Sequence, residues 1–487
     1  MTIMHRYLLP LLILLAGSLA GCATTGRAPA GQATADPRTM TFAPLRFEVP
    51  KTERVRLSNG MVVHLLPDRE LPVVSITAYV PTGSMYEPAD KVGLAGLTGA
   101  IMRSGGTREL TPAALDAELE FMASAVEASV GSDVGNVSLS CLKRNLPRTL
   151  ELFAQVMMNP AFREERVTLA KNRTIEALRR QNDDSKEIAD REFQKALYPG
   201  HPLGRVPTIE TVKAITRDDL VAFHRTFYRP ENIIIAAAGD FEKKELVALL
   251  ENAFAGWKPE ETTVPALPPD PAKEVKPAVL LARKEVNQSA IRMGHLGIDK
   301  NNPDLYAIRV MDYILGGGFT SRLTTEVRSN QGLAYNVHAA FDVGRRYIGT
   351  FEAETETKSE STGKAIGLMR SIIAGMTKEP VSDQELNLAK DAIVNSFIFG
   401  FARTDAVANQ RARLEYYGYP PGYLENYRDN IARVTKVDVL RVARKYLHPD
   451  GMVIVVVGDD KKFDRPLTEF GAVDEIKLEN GTEKGGK

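Results

Sequence analysis

Two stretches of this chain repeat one pattern of apolar and polar positions. ITRDDLVAFHRTFYRPENIIIAAAGDF spans Ile215–Phe241, and VTKVDVLRVARKYLHPDGMVIVVVGDD spans Val434–Asp460. Each opens on a Thr that predicts a helix N-cap and runs on as an amphipathic helix. The helix stops short of a proline, because the residue before proline disfavours the helical region. A run of β-branched or small apolar residues follows, Ile233–Ala238 and Met452–Val457, which predicts a buried strand turning at Gly-Asp. Thr216 and Thr435, Asp219 and Asp438, Pro230 and Pro449, and Gly239 and Gly458 are all separated by one constant offset. The same offset joins Leu169-Ala170-Lys171 to Leu388-Ala389-Lys390, so one register holds over about 70 residues without an insertion. That is the mark of a duplication.

Alternating positions predict further strands at Met61–Leu66 and Ile348–Glu354. Helical spacing predicts helices over Pro112–Ala123, Leu146–Met158 and Asp383–Phe399. VGLAGLTGAIMRSGG, residues Val92–Gly106, reads as a small-residue helix that ends on a glycine pair. Strands and helices mixed without a regular βαβ alternation predict an α+β fold of two homologous domains, each a mostly antiparallel sheet covered by helices.

Length supports the division, since 487 residues exceed what one core accommodates. A Pro-rich linker at 257–277, with prolines at 259, 265, 268, 269, 271 and 277, separates domains expected at 51–256 and 278–465, and a polar tail follows at 466–487. Lys plus Arg equals Asp plus Glu at 62 each, so no overall field favours nucleic acid or an anionic surface, and no nucleic-acid partner is expected. The segment 1–21 reads as a secretory signal: a basic start, the apolar run Tyr7–Leu15, then Leu19-Ala20-Gly21 before Cys22. Small residues ahead of Cys22 resemble the bacterial lipobox, which implies a lipid anchor on Cys22. Ala23, where an Asp would imply retention at the inner membrane, implies the outer membrane, facing the periplasm. Residues 22–50 are then a flexible tether. Cys141 is left without a partner and is expected to be a small core residue.

Five segments, in order, carry a family resemblance: LSNGMVVHLLPD, PTGSMYEPADKVGLAG, YPGHPLGRVPTIETVKAITRDDL, FYRPENIIIAAAGD and GGGFTSRLTTEVRSNQGLAYNV. Together they resemble the pitrilysin/insulinase family of zinc peptidases over roughly Val55–Asp460. The resemblance implies paired α+β domains of the LuxS/peptidase-like metalloenzyme kind. Catalytic members carry H-x-x-E-H, in which two His bind zinc, the Glu activates the bound water, and a distant Glu completes the ligand set. Aligned through Gly93-Leu94-Ala95, the first His falls on Gly96, the Glu on Gly99 and the second His on Ala100, and the register places the third ligand on Ala177. None of the four has a coordinating atom. Of the seven His in the chain no two are three or four apart, and Glu176 reads as a surface charge. No cofactor is expected on this chain; zinc is expected in a partner.

Catalytic members also bring an Arg, and a Tyr seven residues later, from the second domain. Arg328 and Tyr335 stand at that spacing. The resemblance implies that Tyr335 donates a hydrogen bond to the oxyanion at the scissile carbonyl and that Arg328 orients the peptide backbone. Gly316-Gly317-Gly318 is expected to form either a substrate-facing turn or a tight helix end, and Arg322 and Glu326 a helix-surface ion pair. Metal ligands missing and Arg/Tyr present together resemble the non-catalytic, substrate-binding subunit of two-subunit members, whose partner is an H-x-x-E-H homologue and whose substrate is a peptide or unfolded segment. Two other readings stay open: a catalytically inert scaffold or peptide-binding lipoprotein, and a stand-alone zinc metallopeptidase.

Overall fold

The repeat reappears as geometry. The helices Arg217–Phe227 and Lys436–Tyr446 begin and end at the offset read from the sequence, as do the strands Ile234–Gly239 and Val453–Gly458. Thr216 and Thr435 cap the two helices through identical boxes: each hydroxyl accepts from the amide of Asp219 or Asp438, whose carboxylate accepts in return from the Thr amide at 2.8 and 3.0 Å. These positions belong to a computed structural model that describes residues 47–258 and 264–478, so Cys22, its signal and most of its tether lie outside the described residues.

Two α+β domains result, each a six-stranded, mostly antiparallel sheet wrapped by helices. In the first, β1 (Glu53–Arg56), β2 (Val62–Pro67), β3 (Val73–Val80), β4 (Ala125–Val130), β5 (Gly135–Leu142) and β6 (Ile234–Gly239) take the order β1-β2-β6-β3-β5-β4. In the second, β7 (Ala278–Arg283), β8 (Gln288–Leu296), β9 (Val337–Asp342), β10 (Thr350–Lys358), β11 (Val453–Gly458) and β12 (Val473–Ile476) take the order β12-β7-β11-β8-β10-β9. The strand that closes each repeat is inserted parallel beside the first long one, β6 on β2 and β11 on β7. The edges differ. β1 precedes its sheet and pairs antiparallel to β2, whereas β12 follows its sheet and pairs parallel to β7. β12 falls within the stretch that polarity assigns to a tail, because an edge strand held by backbone pairing needs no apolar face of its own. Cys141 is a buried free thiol on β5.

The central strands β6 and β11 are covered on both faces, which explains their unbroken apolar runs, while outer strands such as β5 and β10 alternate. Ile454 and Val456 face their own domain's core, while Val453, Val455 and Val457 face a helix of the other repeat, Ser185–Leu197, through Ile188, Ala189, Phe193 and Leu197. Reciprocally, Ile235 and Ala237 face inward, while Ala236 and Ala238 meet Ala408 and Ala412 of the helix Thr404–Tyr416. These two exchanged helices again start and end at the common offset. Their equivalent positions 190 and 409 both reach across: Asp190 pairs with the buried Arg292 of β8, and Asn409 accepts from the Tyr79 hydroxyl of β3 at 3.0 Å.

One buried carboxylate goes unanswered. Asp312 ends the helix Leu305–Asp312, and neither of its oxygens completes a hydrogen bond. Burial pushes its pKa up to about 7, and the Arg309 guanidinium and the Phe341 amide offset this only in part. The folded state therefore holds a proton that the unfolded chain releases near its ordinary value of 3.8, and stability falls as pH rises from about 4 through 7. Asp312→Asn is expected to flatten that slope and to stabilise the protein at pH 8 by a few kcal/mol, on the order set by the shift. Thermal melts of both proteins across this range check it; parallel curves would refute it.

Candidate functional site

The segment where a metal motif is looked for is the helix Leu94–Ser104. Gly93 opens it with φ 108°, a left-handed conformation that side chains resist, and so brings no capping side chain of its own. Glu87 supplies the cap from six residues upstream, its carboxylate accepting from the amides of Gly93 at 3.0 Å and Ala95 at 2.6 Å. Burial raises the Glu87 pKa, and these two amides oppose the rise. Leu94, Ala95, Leu97, Ile101 and Met102 face the core. Gly99 lies against β4, where a Cβ would stand 2.5 Å from the Val130 nitrogen and 2.8 Å from the Ser129 carbonyl carbon. The helix can dock this closely on the edge strand only because position 99 has no side chain. Gly96 and Ala100 point the other way and are exposed, and a Cβ on Gly96 would meet nothing within 4 Å.

Beside them runs the helix Glu164–Arg179, which carries the exposed Ala177. The two helices bound an open groove of about 450 Å³. The residues do not fit zinc: Gly96, Gly99, Ala100 and Ala177 offer no donor atom, and the position of the general base has no room for one. Among the described residues no group of three or more His, Cys, Asp or Glu could hold a metal ion. The histidines there serve the fold. His64 bonds Thr52 and Glu415, His201 bonds the Pro269 carbonyl, His224 the Met157 carbonyl, and His338 the Gly316 carbonyl. His295 and His448 do meet, 4.8 Å between ring centroids, which their separation in sequence conceals. Burial holds the His295 pKa down to about 4, so its ring is neutral and accepts from the His448 amide.

The second constellation lies in the other domain. After the helix Leu305–Asp312 the chain makes two wide turns, Tyr313–Gly317 and Thr324–Asn330, closed by i to i+5 bonds from Gly318 to Tyr313 and from Gln331 to Glu326, each 3.0 Å. Such π-turns are rare and recur at functional sites. The glycines between them serve close approach and not chain reversal, since none of Gly316, Gly317 and Gly318 has a positive φ. A Cβ on Gly316 would stand 2.3 Å from the Ala339 nitrogen of β9. The pair expected between Arg322 and Glu326 does not form. Arg322 instead grips Glu385 with two bonds of 2.6 and 3.1 Å, and Glu326 accepts from Asn330. The wider second turn takes position 326 off the i,i+4 line, and Glu385 is already fixed in the Ser382 capping box.

Arg328 sits in the second wide turn, its guanidinium 4.8 Å from the Tyr335 ring centroid and 5.3 Å from that of Phe319. The structure thus brings Arg328 and Tyr335 together and adds Phe319, a partner that no helical period would have revealed across two π-turns. Both rings are displayed to solvent, Tyr335 at 85% and Phe319 at 78% exposure, and among the described residues no carboxylate pairs with Arg328. A cation held between two aromatic faces is oriented without being neutralised. Chemically the stack offers guanidinium N–H donors, a phenol and two apolar faces to whatever docks there. No hydrogen bond or ring contact joins this stack to the helix Leu94–Ser104 among the described residues.

Comparison with known proteins matches the two parts of the chain to two family models. Residues 62–210 match the model described as Insulinase (Peptidase family M16), and residues 214–393 match the one described as Peptidase M16 inactive domain. An uncharacterized zinc protease of Streptomyces coelicolor is 25% identical over 436 residues, covering 87% of this chain and 94% of that protein. A probable mitochondrial-processing peptidase subunit beta of Arabidopsis thaliana is 24% identical over 430 residues, covering 85% and 79%. Among solved structures, a peptidase M16 inactive domain from Pseudomonas fluorescens superposes with a TM-score of 0.77 at 26% identity, covering 84% of this chain and 98% of that one.

Proposed function

We propose that this chain, an M16/insulinase-family peptidase homologue with an inactive domain, is the substrate-binding, non-catalytic subunit of a heteromeric zinc metallopeptidase. One contrast carries the reading: the metal positions have lost every donor, and Gly99 is sterically closed to a base, while the Arg328–Tyr335 pair stands preorganised and exposed. In this reading an H-x-x-E-H homologue holds the zinc and the general base. This chain contributes two things to that partner's site. Arg328, kept in orientation by Phe319 and Tyr335, donates its fork of N–H groups to the backbone carbonyls of a bound peptide. The Tyr335 phenol donates to the oxygen that gains charge as the peptide carbonyl becomes tetrahedral. Cys22 tethers the subunit by lipid to the outer membrane on its periplasmic side, with residues 22–50 as the leash.

Two measurements test this. A pull-down of the full-length chain from the membrane fraction should bring with it one related chain bearing H-x-x-E-H. In the purified complex, Tyr335→Phe should lower kcat by about 10²- to 10³-fold, the loss of one oxyanion donor worth about 2.7–4 kcal/mol, with complex formation unchanged. An unaltered rate would leave the inert-scaffold reading in its place. Chelator-sensitive peptide cleavage by this chain alone would support the stand-alone peptidase instead.

A further inference from the structure

We propose that the groove between the helices Leu94–Ser104 and Glu164–Arg179 binds a peptide segment that combines acidic and apolar side chains, with Arg166 and Arg173 reading the carboxylates. The proposal concerns this chain alone and does not depend on a catalytic partner.

The groove is built for such a ligand. Its floor is apolar, formed by Leu97, Ala100, Leu169, Ala170 and Pro207, and it is open above Gly96. Leu169 stays 39% exposed there, an apolar surface with nothing of this chain to cover it. Arg166 and Arg173 stand two turns apart on one helix face, roughly 10 Å along the axis, a span that two flexible guanidinium arms can close onto neighbouring acidic side chains of an extended peptide. Neither makes an ion pair with any carboxylate among the described residues; Glu176 is taken by Arg179 and Asp116 by Arg103, while Glu164 and Glu165 at the head of the helix are exposed. The hydroxyls at the rim are also committed, Ser104 to the Ala100 carbonyl and Thr174 to the Ala170 carbonyl. Arginine forks next to an apolar floor therefore remain the recognising groups, and they match carboxylates in charge and in geometry.

The duplication provides an internal control. The common offset carries Arg166 onto Glu385, which in the second domain is locked by Arg322 in a two-pronged ion pair. At the equivalent place in the first domain the charge is reversed: the same offset carries Arg322 onto Arg103, which is taken by Asp116, and no carboxylate among the described residues pairs with Arg166. One domain satisfies this position from within; the other leaves a cation facing an open groove where the metal ligands have also been removed.

The test is fluorescence anisotropy with the full-length chain and a labelled, C-terminally amidated peptide of alternating Leu and Asp or Glu, against its counterpart with Asn and Gln. The acidic peptide should bind at least about tenfold more tightly, the order expected for a charge-assisted hydrogen bond. Arg166→Gln with Arg173→Gln should erase that difference. Gly96→Trp, at a position where a side chain meets open space, should abolish binding of both peptides with an unchanged melting temperature. Absence of binding, equal affinity for the two peptides, or retention of acidic-peptide binding by the double variant would overturn the proposal. Since no partner is present in the assay, its failure leaves the subunit reading intact, and failure of the subunit reading leaves this one intact.

Discussion

Replacing Gly99 with Glu is expected to collapse the first domain, while Gly96→His with Ala100→His leaves it folded. The two results follow from opposite faces of one helix. At position 99 a Cβ would lie inside the backbone of β4, at 2.5 Å from the Val130 nitrogen, and backbone cannot rotate out of the way as a side chain can. Overpacking of ordinary cores costs about 1–3 kcal/mol, but this clash requires the helix to lift off the edge strand and buries a carboxylate with no partner. A loss upward of about 4 kcal/mol places the variant among the rare severe cases. At positions 96 and 100 new imidazoles would enter the groove, where there is space. Rebuilding all four positions, with Ala177→Glu as the last, is therefore expected to give an unstable protein without peptidase activity, whereas the His pair alone should melt within a few degrees of the parent. Circular dichroism melts and a peptide-cleavage assay with added zinc check this. A stable fourfold variant with chelator-sensitive cleavage would show that the helix can retreat and that the metal site was lost by side-chain replacement alone.

The second large effect is expected far from any site. Phe193 belongs to the first repeat by sequence but fills the outer core of the second domain's sheet, beside Ala290 and Val455. Its ring also lies 3.1 Å from where a Cβ on Gly294 of β8 would stand, so the glycine leaves a recess that the ring occupies. Phe193→Ala should cost about 3–5 kcal/mol, because no neighbour can close the cavity against a sheet held on its other face. Hydrogen exchange gives the sharper readout: protection should fall in β8 and β11 of the second domain, and not preferentially in the first domain, where the mutation is encoded. Loss confined to the first domain would mean that the exchanged helix contributes little to the sheet it covers.

Much of this architecture is legible in the sequence. The Thr-x-x-Asp boxes, the strands that turn at Gly-Asp, and the offset that pairs them all follow from local rules of capping and periodicity, and they sit where those rules put them. The exchanged helices are not legible in this way. An amphipathic pattern states that one face of Ser185–Leu197 is buried but not against which sheet, and only the unbroken apolar run of β11 hinted that both its faces were covered. The edge strands β1 and β12 escape for the opposite reason, since backbone pairing leaves little trace in side chains. At the candidate sites the absence of metal ligands is visible residue by residue. That Gly99 is closed by the Val130 backbone, that Phe319 completes the stack on Arg328, and that Arg166 lacks the partner its counterpart has, are facts of tertiary contact between segments distant in the chain.

The reciprocal helix exchange also bears on how such a chain could arise. A single repeat would expose the outer face of its sheet and carry a helix with no sheet of its own to cover. Two copies related by a twofold axis would satisfy both needs at once, each lending the helix the other lacks, which is the logic of a domain-swapped dimer. A half-chain of this architecture on its own would thus need a second copy to cover its sheet, and joining the two halves in one polypeptide makes the exchange intramolecular. Within one polypeptide the two halves need not stay alike: the first carries Gly96 and Ala100 on the open face of its groove helix, and the second displays Tyr335 beside Arg328.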